Sequence, residues 1–373
     1  MEKLLDNMPK KILFFIEGLE GGGKERRFLE LIQYLKNNTS LKIKIVLTNE
    51  NIHYNYAYNL GIPIILFKRR WFKKDPFIFF RFYRIAREFK PDIIHTWGGM
   101  TTIYAIPSKI FLKRPLVSNL ISDTKLGFGY WSLTKIWFKI NCFFSDLVIS
   151  NSKAGILAYK VNDYEKIEII YNGVSLERFK LNISKNIIQN KINVNTRFMV
   201  IMVAQMNWRK DYELFLDIAG IVNGVRDDIT FVGVGGGQNY IKLQNRRKKE
   251  NLSNVIFTGI RHDVEELIAA SDIGVLFSTF GEGISNSIIE YMASGKPVIT
   301  TDMKGGSREI MADNETGFIM DRNPASIAEK IIELLNDDAM RFSMGEKGRE
   351  IIETRFTIDR MGKDFLNVYE NFS

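Results

Sequence analysis

Short apolar runs alternate with longer amphipathic stretches along the whole chain, and this alternation limits the fold more than any other feature. Ile12–Ile16, Ile43–Leu47, Pro63–Phe67, Ile93–His95, Leu116–Asn119, Leu147–Ser150 and Ile167–Ile170 each read as a strand. Between the first two, Glu25–Lys36 sets Phe28, Leu31, Ile32 and Leu35 at helical spacing. Strand and helix in alternation imply α/β units on parallel sheets. The pattern then breaks. Residues 180–196 are polar and Asn-rich and read as a linker. A second series follows at Phe198–Val203, Ile229–Val234, Val255–Phe257, Ile273–Phe277, Pro297–Thr300 and Gly317–Met320. The expectation is an α/β chain with two Rossmann-like, doubly wound domains, 1–185 and 186–357, facing across a cleft. A last helix over 358–373 is expected to pack back on the first domain. Ligands of such sheets bind at the carboxyl ends of the strands.

Composition narrows the class. The 373 residues are 45% hydrophobic and 25% charged, as in ordinary globular chains. The single cysteine, Cys142, permits no intrachain disulfide, fits a reducing compartment and reads as a small buried hydrophobe. The N-terminus has no apolar signal-peptide region. No apolar run approaches the roughly 18–20 residues of a membrane span. Charge is uneven: residues 1–185 hold 30 Lys and Arg against 16 Asp and Glu, and residues 186–373 hold 22 against 27. A basic first half suits an anionic partner. Nucleic acid is disfavoured, because no recognition motif accompanies that charge. His53, His95 and His262 are too scattered for a zinc site, and no two Asp stand at i and i+2.

The segment Ser278-Thr-Phe-Gly-Glu-Gly-Ile-Ser-Asn-Ser-Ile-Ile-Glu-Tyr-Met-Ala-Ser-Gly-Lys-Pro-Val carries the most chemistry. It begins at a strand end. Gly281 and Gly283 open a loop, and Ser285 and Asn286 are good caps for the helix that follows. Backbone N–H groups at such a helix start hold phosphate or hydroxyl oxygens. Glu282 and Glu290 are carboxylates suited to accept hydrogen bonds from sugar hydroxyls. Gly295 ends the helix and Pro297 opens the next strand.

This stretch resembles the donor-binding signature of the retaining glycosyltransferase family 4 (glycosyl transferases group 1), of GT-B fold and of the bacterial surface-polysaccharide type. The family pattern is Glu, seven residues, Glu, then Ala-x-Gly-x-Pro-Val and an Asp. Glu282, Glu290, Ala293, Gly295, Pro297, Val298 and Asp302 fit it without gaps. The resemblance extends in order along the chain: Gly21-Gly22-Gly23 after the first strand, Pro91–His95, Tyr171–Val174, Val203–Asp211 and Ala270–Ser278. It implies that Glu282 contacts the transferred sugar and Glu290 the nucleotide ribose. Gly283, Ile284 and Ser285 would hold sugar or phosphate oxygens through their amides. Gly22 and Gly23 would let the backbone approach the pyrophosphate.

Two departures stand out. The family's Arg–four residues–Lys pair binds the diphosphate; Lys210 fills the Lys position, but Gln205 stands where Arg belongs, and Arg209 is the neighbouring cation. Many relatives carry His after the fifth strand, where Val117–Asp123 has none; His95 and Asp123 are the substitutes within reach. The resulting expectation is catalysis by Lys210, Glu282 and His95, with a nucleotide-diphosphate sugar, UDP-sugar first, as co-substrate. No obligatory metal or cofactor is expected, since leaving-group charge falls to Lys210, helix N-termini and loop amides. The sugar would be a hexose or N-acetylhexosamine, and the acceptor a glycan or polyprenyl-phosphate-linked chain in O-antigen, capsule or lipo-oligosaccharide synthesis. The alternatives are a sugar-nucleotide epimerase on the same architecture and a non-catalytic nucleotide-sugar-binding subunit.

Lys68–Lys90 interleaves cations with Trp71, Phe72, Phe77 and Phe80, beside a core-facing stripe of Ile78, Phe82, Ile85 and Phe89. Aromatics mixed with cations suit an interfacial helix. A second aromatic cluster, Gly127–Ser132 with Trp137 and Phe138, reads as an acceptor-side loop and a packed helix. The expected location is cytoplasmic, with peripheral contact at the inner face of the membrane.

Overall fold

The structure, a computed structural model, describes residues 9–20, 22–50, 52, 56–67, 75–121, 133–159, 166–181, 183–301 and 305–372. Gly21, His53, Lys68–Lys74, Asp123, Gly127–Ser132 and Asp302, all singled out above, lie outside them. The chain forms two compact units, Met1–Gly173 with Ile358–Ser373, and Val174–Thr357.

The first unit is built on a seven-stranded parallel sheet in the order β3-β2-β1-β4-β5-β6-β7. Its strands are β1 Lys11–Ile16, β2 Lys42–Leu47, β3 Ile64–Leu66, β4 Ile93–Trp97, β5 Leu116–Ile121, β6 Leu147–Ser150 and β7 Ile167–Ile169. The helices are α1 Gly23–Asn38, α2 Tyr56–Asn59, α3 Phe77–Phe89, α4 Gly99–Leu112, α5 Leu133–Phe144, α6 Lys153–Tyr159 and, from the chain's end, α15 Ile358–Glu370. Alternation along β1 sorts the layers. Ile12, Phe14 and Ile16 pack with α1 and α15, whereas Leu13 and Phe15 pack with α3 and α4. Both faces of the sheet are therefore covered. That is why its strands read as unbroken apolar runs.

The second unit has a six-stranded parallel sheet in the order β10-β9-β8-β11-β12-β13. The strands are β8 Phe198–Val203, β9 Ile229–Val234, β10 Val255–Gly259, β11 Ile273–Leu276, β12 Val298–Thr301 and β13 Gly317–Met320. Its helices are α7 Lys185–Lys191, α8 Tyr212–Asn223, α9 Tyr240–Lys249, α10 Val264–Ala270, α11 Asn286–Ala293, α12 Ser307–Ile310, α13 Pro324–Asn336 and α14 Asp338–Arg355. The chain enters and leaves this unit at one place, where the Val174 N–H donates to Phe356 O at 2.8 Å.

The Asn-rich stretch differs from its reading as a linker. It carries α7, which packs on α10. Ile188, Ile192 and Val194 are buried, and Lys185 reaches the Asp272 carboxylate at 2.7 Å. Three apolar anchors among the asparagines suffice to dock it. No helix among the described residues is long and apolar enough to cross a membrane.

Candidate active site

The loops that follow β8, β9 and β11 meet in the second unit. The chain after β8 is zipped to the chain after β11: Asp211 N–H donates to Phe277 O at 2.9 Å, and Thr279 N–H donates to Arg209 O at 2.9 Å. Asp211 then caps α8 by accepting from Leu214 N–H at 3.1 Å. From the other side, Met206 N–H donates to Gly236 O at 2.8 Å. This approach requires glycine twice. Gly235 (φ +139°) and Gly237 (φ +149°) adopt backbone that L side chains avoid, and a Cβ on either would strike a carbonyl of the β8 loop, Ala204 O or Met206 O.

The zip puts two charges together. Lys210 Nζ forms an ion pair and hydrogen bond with Glu282 Oε1. Ser278 Oγ donates to the same oxygen at 2.8 Å. Oε2 takes no hydrogen bond from the described residues. Burial pushes the Glu282 carboxyl upward, but the Lys210 charge and hydrogen bond, the Ser278 hydroxyl and the Arg209 charge outweigh it, so the pKa is held below the ordinary value. Glu282 is an anion with one oxygen committed and one available. Its backbone is fixed as well, since Gly306 N–H donates to Glu282 O at 2.7 Å.

Glu290 lies on α11, almost fully buried. Its carboxylate faces Arg178 Nη2 at 3.4 Å. Arg178 comes from the 3₁₀ turn Leu176–Phe179 and also pairs with Glu265 on α10. A hollow of about 570 Å³ opens beside this cluster, lined by Arg178, Arg261, His262 and Glu265 among others. Gly283, Ile284 and Ser285 lead into the α11 N-terminus, where Ser285 is the N-cap and makes no side-chain cap bond.

Lys210, Arg209, Glu282, Gly283, Ile284, Ser285 and Glu290 thus belong to one unit, with Lys210 touching Glu282. Gly22 and Gly23 belong to the other, where they cap and open α1 after β1. Ser278 and Arg178 are missing from the sequence reading. Ser278 sat within the signature and could have been found there. Arg178 is 112 residues from Glu290 and carries no local signal.

His95 must be corrected. It is wholly inaccessible on β4, with Nδ1 2.7 Å from the Tyr369 hydroxyl and its ring against Phe14, Trp97 and Phe365. Nε2 has no hydrogen-bond partner among the described residues. Burial pushes its pKa down to about 3. It is a neutral core residue, and the catalytic reading is withdrawn. A consequence can be measured. The unfolded chain binds this proton below about pH 6.5 and the folded chain does not until about 3. The stabilising contribution is therefore complete above 6.5 and is lost as pH falls, by roughly 2 kcal/mol at pH 5. Melting curves at pH 7.5 and 5 should show a smaller drop for His95→Gln than for the parent chain; equal drops would contradict the assignment.

Comparison with known proteins gives the class. The family described as "Glycosyl transferases group 1" matches residues 184–351, and "Glycosyltransferase Family 4" matches residues 21–178. The chain belongs to this GT-B family of group 1, family 4 glycosyltransferases, and is a transferase enzyme. The capsular polysaccharide biosynthesis glycosyltransferase CapM of Staphylococcus aureus is 27% identical over 300 residues, covering 76% of this chain and 77% of that protein. The N-acetylgalactosamine-N,N'-diacetylbacillosaminyl-diphospho-undecaprenol 4-alpha-N-acetylgalactosaminyltransferase of Campylobacter jejuni is 25% identical over 362 residues, covering 91% and 94%. Among solved structures, Anabaena HepE in complex with UDP and glucose superposes with a TM-score of 0.84 at 21% identity, covering 97% of this chain and 100% of that one.

Proposed function

We propose that this glycosyltransferase moves a hexose or N-acetylhexosamine from a UDP-sugar to a glycan or polyprenyl-linked acceptor during assembly of a cell-surface polysaccharide, with retention of anomeric configuration. The observation that carries the reading is the Lys210–Glu282–Ser278 cluster. It presents a cation for a leaving diphosphate beside a carboxylate oxygen open to sugar hydroxyls. The α11 N-terminus adds amide donors for the same anion. Glu290, steadied by Arg178, is assigned to the ribose hydroxyls. Lys210 and the amides carry the leaving charge in this scheme, and no metal is required of it. Gly22 and Gly23 are proposed to supply backbone amides from the first unit.

Retention itself is implied by the family resemblance; the carboxylates bear on how it would be reached. Glu282, held through Oε1 by Lys210 and Ser278, is assigned by the family resemblance to sugar hydroxyls, and no second carboxylate has comparable support as a nucleophile. We therefore infer same-side attack, with the departing phosphate taking the acceptor's proton. The Campylobacter relative's name places a diphospho-undecaprenol sugar as acceptor and CapM's places that enzyme in capsule synthesis, which supports a lipid-linked or glycan acceptor here. The epimerase alternative loses His95 as an acid or base, because that ring is sealed in the core.

The test is incubation with a panel of UDP-sugars and an acceptor, with NMR of the product. Transfer with retention supports the proposal; isomerised donor, inverted product, a trapped glycosyl-enzyme or complete loss of transfer in EDTA overturns the corresponding part. The ribose assignment is tested separately. Glu290→Ala should weaken UDP binding by the loss of a charge-assisted hydrogen bond, about 1.5–3 kcal/mol, read by titration calorimetry. Unchanged affinity would remove Glu290 from the donor site.

A further inference from the structure

Three neighbouring helices of the first unit carry an apolar, cationic face that no other described residues cover. The helices α3 and α4 pack together through Phe79 and Tyr104, ring centroids 4.9 Å apart, and through Tyr83 and Phe111 at 6.2 Å. The helix α5 adjoins α4, where Asn141 Nδ2 donates to Gly99 O at 3.0 Å. Their inward sides hold Ile78, Phe82, Tyr104, Ala105 and Cys142. Outward, the spacing of a helical stripe repeats: Phe77, Phe80 and Arg84 on α3, and Ile136, Lys139 and Phe143 on α5. Phe77 is 67% exposed, Phe80 68%, Phe111 72% and Phe143 76%. Aromatics on successive outward turns of adjacent helices are not the scattered apolar residues that any surface carries.

The charges specify what fits. Arg81, Arg84, Arg87, Lys109 and Lys139 lie on the three helices, and Glu88 is the one acidic residue on them. Glu88 is paired with Arg84, and the nearby Asp146 is paired with Lys109. A face of one sign repels a second copy of itself. Aromatic side chains that enter the interface, interleaved with cations that stay among headgroups, match an anionic lipid surface.

We propose that the outer faces of α3, α4 and α5 dock this glycosyltransferase on an anionic phospholipid bilayer. The aromatics insert and the cations contact phosphate. This deepens the acceptor side of the proposed function, and rests on it for the reason to be at a membrane. It extends the contact expected from sequence in Lys68–Lys90, of which α3 is a part, to a surface shared with α4 and α5.

Flotation with sugar-free vesicles tests it. The full chain should bind vesicles of equimolar phosphatidylcholine and phosphatidylglycerol at low salt, and release as salt rises. Pure phosphatidylcholine vesicles should not retain it. The pair Phe80→Ser with Phe143→Ser should abolish binding, and Arg87→Ala with Lys139→Ala should weaken it about 5-fold per cation removed. Both variants should keep the thermal stabilisation given by UDP, which shows that they are folded. No binding by the parent, undiminished binding by both variants, or a concentration-dependent dimer that the variants lose would overturn the proposal. Vesicle binding without UDP stabilisation would instead sink the donor reading and leave this one standing.

Discussion

Lys210→Ala is expected to lower kcat by about 10²–10³-fold, the usual cost of removing one preorganised group that meets developing charge. Lys210 is mostly buried, and its ammonium is aimed by the strand-like pairing of its backbone with Ser278. Gln205 cannot replace it, being neutral, and Arg209, although its charge reaches Glu282, belongs to the adjacent position. The substitution also strips Glu282 of its main counter-charge, so its carboxyl pKa should rise. The comparison with Lys210→Arg separates charge from placement. Recovery of most activity by Arg would mean that position is tolerant; a change below about tenfold in the alanine variant would remove Lys210 from the chemistry.

Gly235→Ala should destabilise the second unit by roughly 3 kcal/mol or more. The residue sits at φ +139°, and its new methyl would lie 2.1 Å from Ala204 O. That carbonyl is backbone in the β8 loop and cannot swing aside, so the β8 and β9 loops must part. Chemical denaturation should show the loss, and UDP binding should weaken with it. Gly220→Ala is the control. Gly220 lies inside α8, where the methyl meets Leu252 Cδ2 at an ordinary 3.5 Å, and a gain of about 0.5–1 kcal/mol is expected. If Gly235→Ala melts like the parent, the close approach of the two loops is not needed for stability.

Most strands were legible because parallel sheets covered on both faces write uninterrupted apolar runs, and β6, β8, β9 and β13 match their expected ends. Boundaries moved where side chains gave no warning: β4 runs on through Thr96 and Trp97, and α1 starts at Gly23. The helix α7 was hidden because composition averages over the apolar residues that dock it. The Glu282–Glu290 segment was legible because it is contiguous. Its partners were less so: Lys210 is 72 residues away and Arg178 precedes Glu290 by 112. His95 failed for another reason. A strand position tells which residues share a face, but not that a helix from the chain's end covers it with Phe365 and Tyr369.

That last helix also sets an order of assembly. Val174–Thr357 is continuous, so the second unit holds all its residues once Thr357 has left the ribosome. The first unit begins synthesis earlier, yet lacks Met361, Phe365, Val368 and Tyr369, which complete its α1-side core. At typical elongation rates, the nascent β1, β2 and β4 wait roughly 10–40 s between the end of β7 and the arrival of α15. During that interval His95 and its neighbours are open on one side. The half of the protein made first is the half finished last, and truncation within α15 would strand it incomplete while the other half closes normally.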